Sequence, residues 1–168
     1  MDEIELVERL KKGDEEAIRE IMRAYKNRIF NFILRIVKDR EKALDLTQEV
    51  FIKAYFKINT FKKDSKLSTW LFTIASNLSR SELRKRKIID FINMLSPKLL
   101  VEEHPGNSSG IEYFLQKIKP DYRIPFILKE IEGFSSEEIA NILKIPEGTV
   151  KSRIFRAKKT LRNLMEGR

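Results

Sequence analysis

The sequence predicts an all-α protein of two small helical domains, an N-terminal bundle and a C-terminal helix-turn-helix, joined by a flexible linker. Apolar residues recur at helical spacing in 4–10, 17–25, 29–37, 43–58 and 70–83, and nothing alternates with a strand period for long. The chain breakers are concentrated: Pro97, Pro105, Gly106, Gly110 and Pro120 are five of only 6 Gly and 5 Pro in 168 residues. Helical patterning resumes on the far side of that cluster and contains a capped turn between two short helices. The length suits one domain or two small ones, and we place them at 1–95 and 112–168 with a linker at 96–111. Each is small enough to be marginal in core size, so partner contacts help hold their arrangement.

Taken in order, Gly13-Asp14 reads as a helix stop followed by an N-cap, since Gly accepts the left-handed conformation and Asp supplies a carboxylate to free N–H groups. Segment 43–58 places Ala43, Leu44, Leu46, Val50, Phe51, Ala54, Tyr55 and Ile58 on one broad core-facing side. Asp45, Gln48, Glu49, Ile52 and Phe56 gather on the other side. Apolar anchors ringed by polar groups suit a reversible protein interface, the alternative being an ordinary solvated face. Segment 59–68 is aperiodic and polar apart from Phe61 and Leu67, which marks a loop carrying an aromatic residue. Segment 88–100 is unusually apolar for a linker, and is expected to be partly helix packed on the first domain or covered by a regulator. Pro125 falls four residues into a helix expected over 121–132, where it distorts only the helix start.

Composition excludes several chemistries. There is no Cys, which removes disulfides, thiolate metal sites and Cys nucleophiles. The single His104, beside Pro105-Gly106 in the linker, supports neither a His-based metal site nor a catalytic role. Asp and Glu are scattered or paired with Lys and Arg, so no clustered metal site of a nucleic-acid enzyme is expected. No cofactor, metal, catalytic residue or small-molecule substrate is therefore assigned. The acidic Met1-Asp2-Glu3-Ile4-Glu5 start lacks the features of a secretory signal, and no run reaches the length of a spanning helix, so a cytoplasmic location is expected. Without export, the glycosylation-type triplets at Asn77 and Asn107 carry no meaning. With 34 Lys and Arg against 25 Asp and Glu, the formal net charge is +9, a sign that suits phosphate.

The most specific pattern is C-terminal. Ser135-Ser136-Glu137-Glu138 is a capping box that opens a short helix, Lys144-Ile145-Pro146 breaks it, and Pro146 suits the first position of a second helix. Val150, Ile154, Ala157 and Leu161 form the core seam of that second helix. Lys151, Ser152, Phe155, Arg156, Lys158, Lys159 and Arg162 project away from it. Between 147 and 162 six cations, Arg153 among them, face one acid. A capped helix, a tight turn, a basic second helix and an outward Phe together favour a DNA-reading helix over a merely solvated basic one. A second basic run over 80–87, with five cations and one acid, suits phosphate positioning.

Three long motifs then carry a resemblance. Asp45-Leu46-Thr47-Gln48-Glu49-Val50-Phe51-Ile52-Lys53-Ala54-Tyr55, Ser68-Thr69-Trp70-Leu71-Phe72-Thr73-Ile74-Ala75-Ser76-Asn77 and Gly148-Thr149-Val150-Lys151-Ser152-Arg153-Ile154-Phe155-Arg156-Ala157 resemble, in order, those of the bacterial extracytoplasmic-function (ECF) sigma factors. The match spans nearly the whole chain and is nearest the envelope-stress type. The resemblance implies a first domain that binds the core RNA polymerase clamp and melts the minus-ten promoter element, and a second that binds the minus-thirty-five element. It implies polymerase contacts at Asp45, Gln48, Glu49, Ile52 and Phe56. It places Phe61, Ser65, Thr69 and Asn77 in a pocket for a flipped non-template base, with Lys53, Lys62, Arg80 and Arg84 near the minus-ten strand. Trp70 stands between that pocket and the core, and Asn77 between the pocket and a structural amide. Lys151, Ser152, Arg153, Phe155, Arg156, Lys158 and Lys159 become the minus-thirty-five contacts. The resemblance further implies a stress regulon whose upstream elements tend to contain an AAC core. It also implies an anti-sigma factor able to hold the protein at the inner face of the membrane, and nucleic-acid mimicry by Glu102-Glu103 in the linker. An autonomous helix-turn-helix regulator and a nucleic-acid enzyme using Asp64 are the rival readings; neither gives the 43–58 face a task.

Overall fold

In the computed structural model, residues 2–95 and 110–167 are described, and among them there is no strand. Eight α-helices follow one another: α1 (Glu3–Lys11), α2 (Glu15–Val37), α3 (Arg40–Lys57), α4 (Leu67–Leu95), α5 (Ile111–Leu115), α6 (Pro120–Glu130), α7 (Ser136–Leu143) and α8 (Glu147–Met165), with a 3-10 turn at Ile58–Thr60. They form the two expected helical sets, α1–α4 and α5–α8. The linker residues singled out above, His104, Glu102-Glu103 and Asn107, and the end of the apolar stretch at 96–100, lie outside the described residues.

Local chemistry sets the helix ends. Asp2, Asp14 and Asp39 each accept from free N–H groups at the starts of α1, α2 and α3. Gly13 takes φ +88°, and the Asp14 carboxylate also receives Arg9 at 2.8 Å, so the stop-and-cap dipeptide is fixed from both sides. Ser135 accepts from the Glu138 N–H at 3.1 Å, while the Glu138 carboxylate accepts from the Ser135 N–H at 2.8 Å, which completes the capping box. Lys144 closes α7 in the left-handed region at φ +54°, and Pro146 occupies the N-cap of α8 rather than its first turn.

Several expectations are corrected. The 17–25 and 29–37 stretches form the single helix α2, because Lys26-Asn27-Arg28 contains no breaker. Helix α4 starts earlier, at Leu67, and runs on through the basic segment to Leu95. Its last turns are helical, yet Ile88, Ile89, Phe91, Ile92, Met94 and Leu95 are exposed instead of packed on the first domain. Helix α6 covers Pro120–Glu130, with Pro120 in its first turn and Pro125 buried within it. Leu44 is exposed rather than core, since it borders Gln48 on the outer side of α3.

One apolar core runs through both helical sets. Phe32, Ile33, Ile36, Leu71 and Phe72 of α2 and α4 belong to the same buried cluster as Ile127, Ile139, Ile142 and Val150 of α6–α8. At the joint, Phe72 packs against Phe32 and against Phe134, each at 5.1 Å between ring centroids. Around it Arg28 pairs with Glu132 at 3.2 Å and Lys66 with Glu138 at 2.8 Å. Arg80 donates to the Leu143 carbonyl at 3.4 Å. Arg123 of α6, only 2% exposed, donates to the Ile36 carbonyl near the end of α2 at 2.9 Å. That carbonyl is among those a helix end leaves without an intrahelical partner. Burial pushes the Arg123 guanidinium down to about 10, so it remains charged near neutral pH.

Candidate functional site

Three surfaces collect the residues singled out from sequence. The first is the outer side of α3. Burying Ala43, Leu46, Val50, Phe51 and Ala54 against the core fixes the helix rotation and turns Asp45, Gln48, Ile52 and Phe56 to solvent, with Glu49 half-buried. Phe56 is 76% and Ile52 55% exposed, and Leu44 extends this apolar ridge by two turns. Sequence periodicity alone missed Leu44, although its position beside Gln48 on the helical wheel is the signal that finds it.

The second surface is the turn between α3 and α4 with the start of α4. Phe61, assigned to the pocket, is buried and packs edge-on to the half-buried Trp70, ring centroids 5.4 Å apart. The turn is short and Phe61 is its bulky apolar residue, so it plugs the base of the loop; Trp70 stands at the edge of the core. Ser65 and Lys62 are exposed, the Ser65 hydroxyl donating to the Lys62 carbonyl at 3.1 Å. A cleft of about 290 Å³ opens between this loop and α1, lined by Ile4, Val7, Phe61, Asp64, Ser65 and Lys66 among others. Phe61 and Ser65 therefore share one cleft, whereas Thr69 and Asn77 lie along α4, half-buried and exposed respectively. Lys53 pairs with Glu49 at 3.4 Å, one turn away on α3. Arg84 is exposed further along α4, and Arg80 is engaged with α7.

The third surface is the free side of α8. Val150, Ile154 and Ala157 are buried, which turns Lys151, Ser152, Phe155, Arg156, Lys158 and Lys159 outward; Arg153, nearer the seam, is half-buried. Phe155 is 67% exposed among these cations. Several are already held: Lys151 by Glu147 at 3.0 Å, Lys158 by Glu130 at 2.7 Å, and Arg156 by the Tyr122 hydroxyl at 3.0 Å with its guanidinium over the Tyr122 ring. Tyr122 of α6 was missed from sequence because only the tertiary fold brings it to Arg156. Among the described residues no group of acids, Cys or His is placed to hold a metal ion.

A helix-turn-helix with a basic, aromatic-bearing second helix, packed on a second helical domain that carries its own partner face, defines a DNA-directed regulatory protein. Comparison with known proteins names the class. Residues 21–88 match Sigma-70 region 2 and residues 110–161 match Sigma-70 region 4. The chain is 34% identical over 173 residues to the ECF RNA polymerase sigma factor SigW of Bacillus subtilis, covering 93% of this chain and 92% of that protein. It is 33% identical to the ECF RNA polymerase sigma-E factor of Escherichia coli, covering 96% and 93%. Among solved structures, the sigma factor RpoE of Bartonella quintana, in complex with the anti-sigma factor NepR, aligns with a TM-score of 0.73 at 29% identity over 88% of this chain and 96% of that one. CnrH, in complex with the cytosolic domain of CnrY, shares the fold at a TM-score of 0.75 and 21% identity over 99% and 97%. This chain belongs to the ECF sigma factors of RNA polymerase.

Proposed function

We propose that the chain binds core RNA polymerase, recognises a minus-thirty-five and a minus-ten element, and opens promoter DNA, without catalysis of its own. The observation that carries this reading is the pair of unrelated exposed faces, α3 with Ile52 and Phe56, and α8 with Phe155 and Arg156. An autonomous DNA-binding regulator needs only the second. The division at 1–95, 96–111 and 112–168 follows the same logic, one domain for the clamp and the melted strand and one for the upstream duplex. Asp45, Gln48, Glu49, Ile52 and Phe56, joined by Leu44, take the clamp. Lys62, Ser65, Thr69, Trp70, Asn77, Arg80 and Arg84 serve the minus-ten strand, and Lys53 lies close enough to assist on phosphate. The cleft holding Phe61 and Ser65 is the place for an extruded base, whose unstacking costs a few kcal/mol that pocket contacts offset. On α8, Phe155 and Arg156 read bases while Lys151, Ser152, Lys158 and Lys159 hold phosphate, with Arg153 at the margin.

No helix among the described residues is long and apolar enough to cross a membrane. A cytoplasmic protein restrained by an anti-sigma factor, itself able to tether it to the inner face of the membrane, fits a stress regulon.

Run-off transcription with purified core polymerase on a pool of genomic fragments tests the reading. Transcripts that need the protein, and that share an upstream and a melted element, are the expected result; duplex binding by the protein alone with no transcripts overturns it. Changing Phe155 and Arg156 together to Ala should abolish selection of the upstream element while core polymerase binding stays within about 2-fold. Simultaneous loss of both would show that α8 supports the fold rather than reads DNA.

The two elements lie about 25 base pairs apart, or roughly 85 Å of duplex at about 3.4 Å per base pair. With Phe72 against Phe134, the two domains cannot engage both at once. Fluorophores on Lys57 and Lys159 should therefore show high energy transfer in the free chain and low transfer in the promoter complex. Unchanged transfer would exclude separation.

A further inference from the structure

The cations on the free side of α8 are held in two different ways. Lys151 and Lys158 each sit on a carboxylate, Glu147 at 3.0 Å and Glu130 at 2.7 Å, so a phosphate approaching either lysine meets a negative charge already in place. Arg156 is held by an uncharged group instead. Its Nη1 donates to the Tyr122 hydroxyl at 3.0 Å, and its guanidinium carbon stands 5.7 Å from the Tyr122 ring centroid. A hydroxyl and a ring face fix the guanidinium without neutralising it. Tyr122 can do this because it is itself fixed. Its N–H donates to the Lys119 carbonyl at 2.9 Å in the first turn of α6, and its ring packs with Leu115, Ile118, Phe126 and Ala157. The next residue, Arg123, is buried and donates to the Ile118 carbonyl at 3.5 Å, which ties that turn to the segment before it. Ala157, fully buried beside Arg156, is the small residue that lets α6 approach α8 at this point.

The nitrogen that Tyr122 takes matters. A guanidinium carries five N–H donors in one plane, and occupying Nη1 leaves the Nε–Nη2 edge whole. That edge presents two parallel N–H groups, which match the O6 and N7 acceptors of guanine in the major groove. An arginine free to rotate loses side-chain freedom on meeting a base, whereas one already held loses less. We propose that Tyr122 is a positioning residue of the upstream-element site: it presents the Nε–Nη2 edge of Arg156 to a guanine and so sets how strongly that one base pair is discriminated. The proposal rests on the reading of α8 as the helix that selects the minus-thirty-five element. Within that reading Tyr122 touches no base and acts only through Arg156, while Lys151 and Lys158 supply attraction to phosphate that is indifferent to sequence.

The test uses the full chain with core polymerase on a promoter pool randomised across the upstream element, with the transcribed fraction sequenced. Arg156→Ala should flatten the preference at one guanine position, which marks the base that Arg156 reads. Tyr122→Phe keeps the ring and removes the hydroxyl. It should lower the guanine preference at that same position by about 5-fold, the low end for a bidentate contact, and leave the other positions and the unfolding midpoint as in the parent chain. Tyr122→Leu, which loses the ring as well, should approach the Arg156→Ala profile. In the Arg156→Ala background, Tyr122→Phe should have no further effect, since its action passes through the arginine. A Tyr122→Phe profile identical to that of the parent overturns the proposal, as does an equal loss at every position, the mark of a residue that only supports the fold. So does an effect that persists in the Arg156→Ala background, because Tyr122 would then meet DNA directly, or a flattened preference for a base other than guanine. If Arg156→Ala alters no position, the reading of α8 fails and the proposal with it; if Arg156→Ala alters one position and Tyr122→Phe does not, the proposal alone fails.

Discussion

Replacing Ile52 and Phe56 together by Ala should weaken the affinity for core RNA polymerase by about 100-fold or more while leaving the unfolding midpoint almost unchanged. Both side chains are already in water in the free protein, so truncating them removes little that holds the fold. In the proposed complex they would be the largest apolar groups of a face shared with Leu44, Asp45, Gln48 and Glu49, and central apolar anchors of that kind cost about 2 kcal/mol or more each on truncation. They lie one turn apart and are coupled, so the double change measures the ridge as a unit. Leu44→Ala should give a smaller loss in the same direction. Sedimentation or anisotropy with purified core polymerase measures all three. Full affinity in the double variant would exclude α3 as the docking helix.

Phe72→Ala should have the opposite profile, lowering stability by about 3–5 kcal/mol with the exposed face of α3 still intact. Its ring is fully buried between Phe32 and Phe134, with the Arg28 guanidinium 5.3 Å from the ring centroid. The lost volume lies where the two helical sets meet, so the remaining atoms cannot close it without moving Phe134 and the start of α7. Chemical denaturation should show a large drop in midpoint, and the energy transfer between Lys57 and Lys159 should fall in the free chain. A loss below about 1 kcal/mol would mean that the joint relaxes far more easily than a native core.

These two residues also mark what periodicity can and cannot reveal. Helix starts were legible because their chemistry is local: Asp14 after Gly13, and Ser135 with Glu138, need only near neighbours along the chain. The outward turn of Ile52 and Phe56 was legible because one helical wheel separates two faces. Leu44 was misplaced because a wheel assigns an angle and not a depth, and its angle lies at the margin. The burial of Phe61 was not legible, because nothing local says whether an aromatic in a polar loop points out or plugs the core beside Trp70. Arg123 was invisible for a stronger reason. A cation usually marks a surface, and its burial is made tolerable by the carbonyls of Leu115 and Ile118 and, at the shortest distance, by that of Ile36, 87 residues away. The whole joint between the two helical sets belongs to this class, since nothing local to Phe72 or to Phe134 says that the two rings meet.

The stripe of α4 that carries Phe72 continues through Ser76 and Ser79, both fully buried, and neither hydroxyl has a hydrogen-bond partner among the described residues. A hydroxyl shut away from water without a partner costs about 1–3 kcal/mol. The joint is held by the contact of Phe72 with Phe134 together with the Arg28–Glu132 and Lys66–Glu138 pairs, while two unpartnered hydroxyls cost stability on the same stripe of α4. Removing either hydroxyl by Ser76→Ala or Ser79→Ala takes away that cost without adding volume, and should raise the unfolding midpoint.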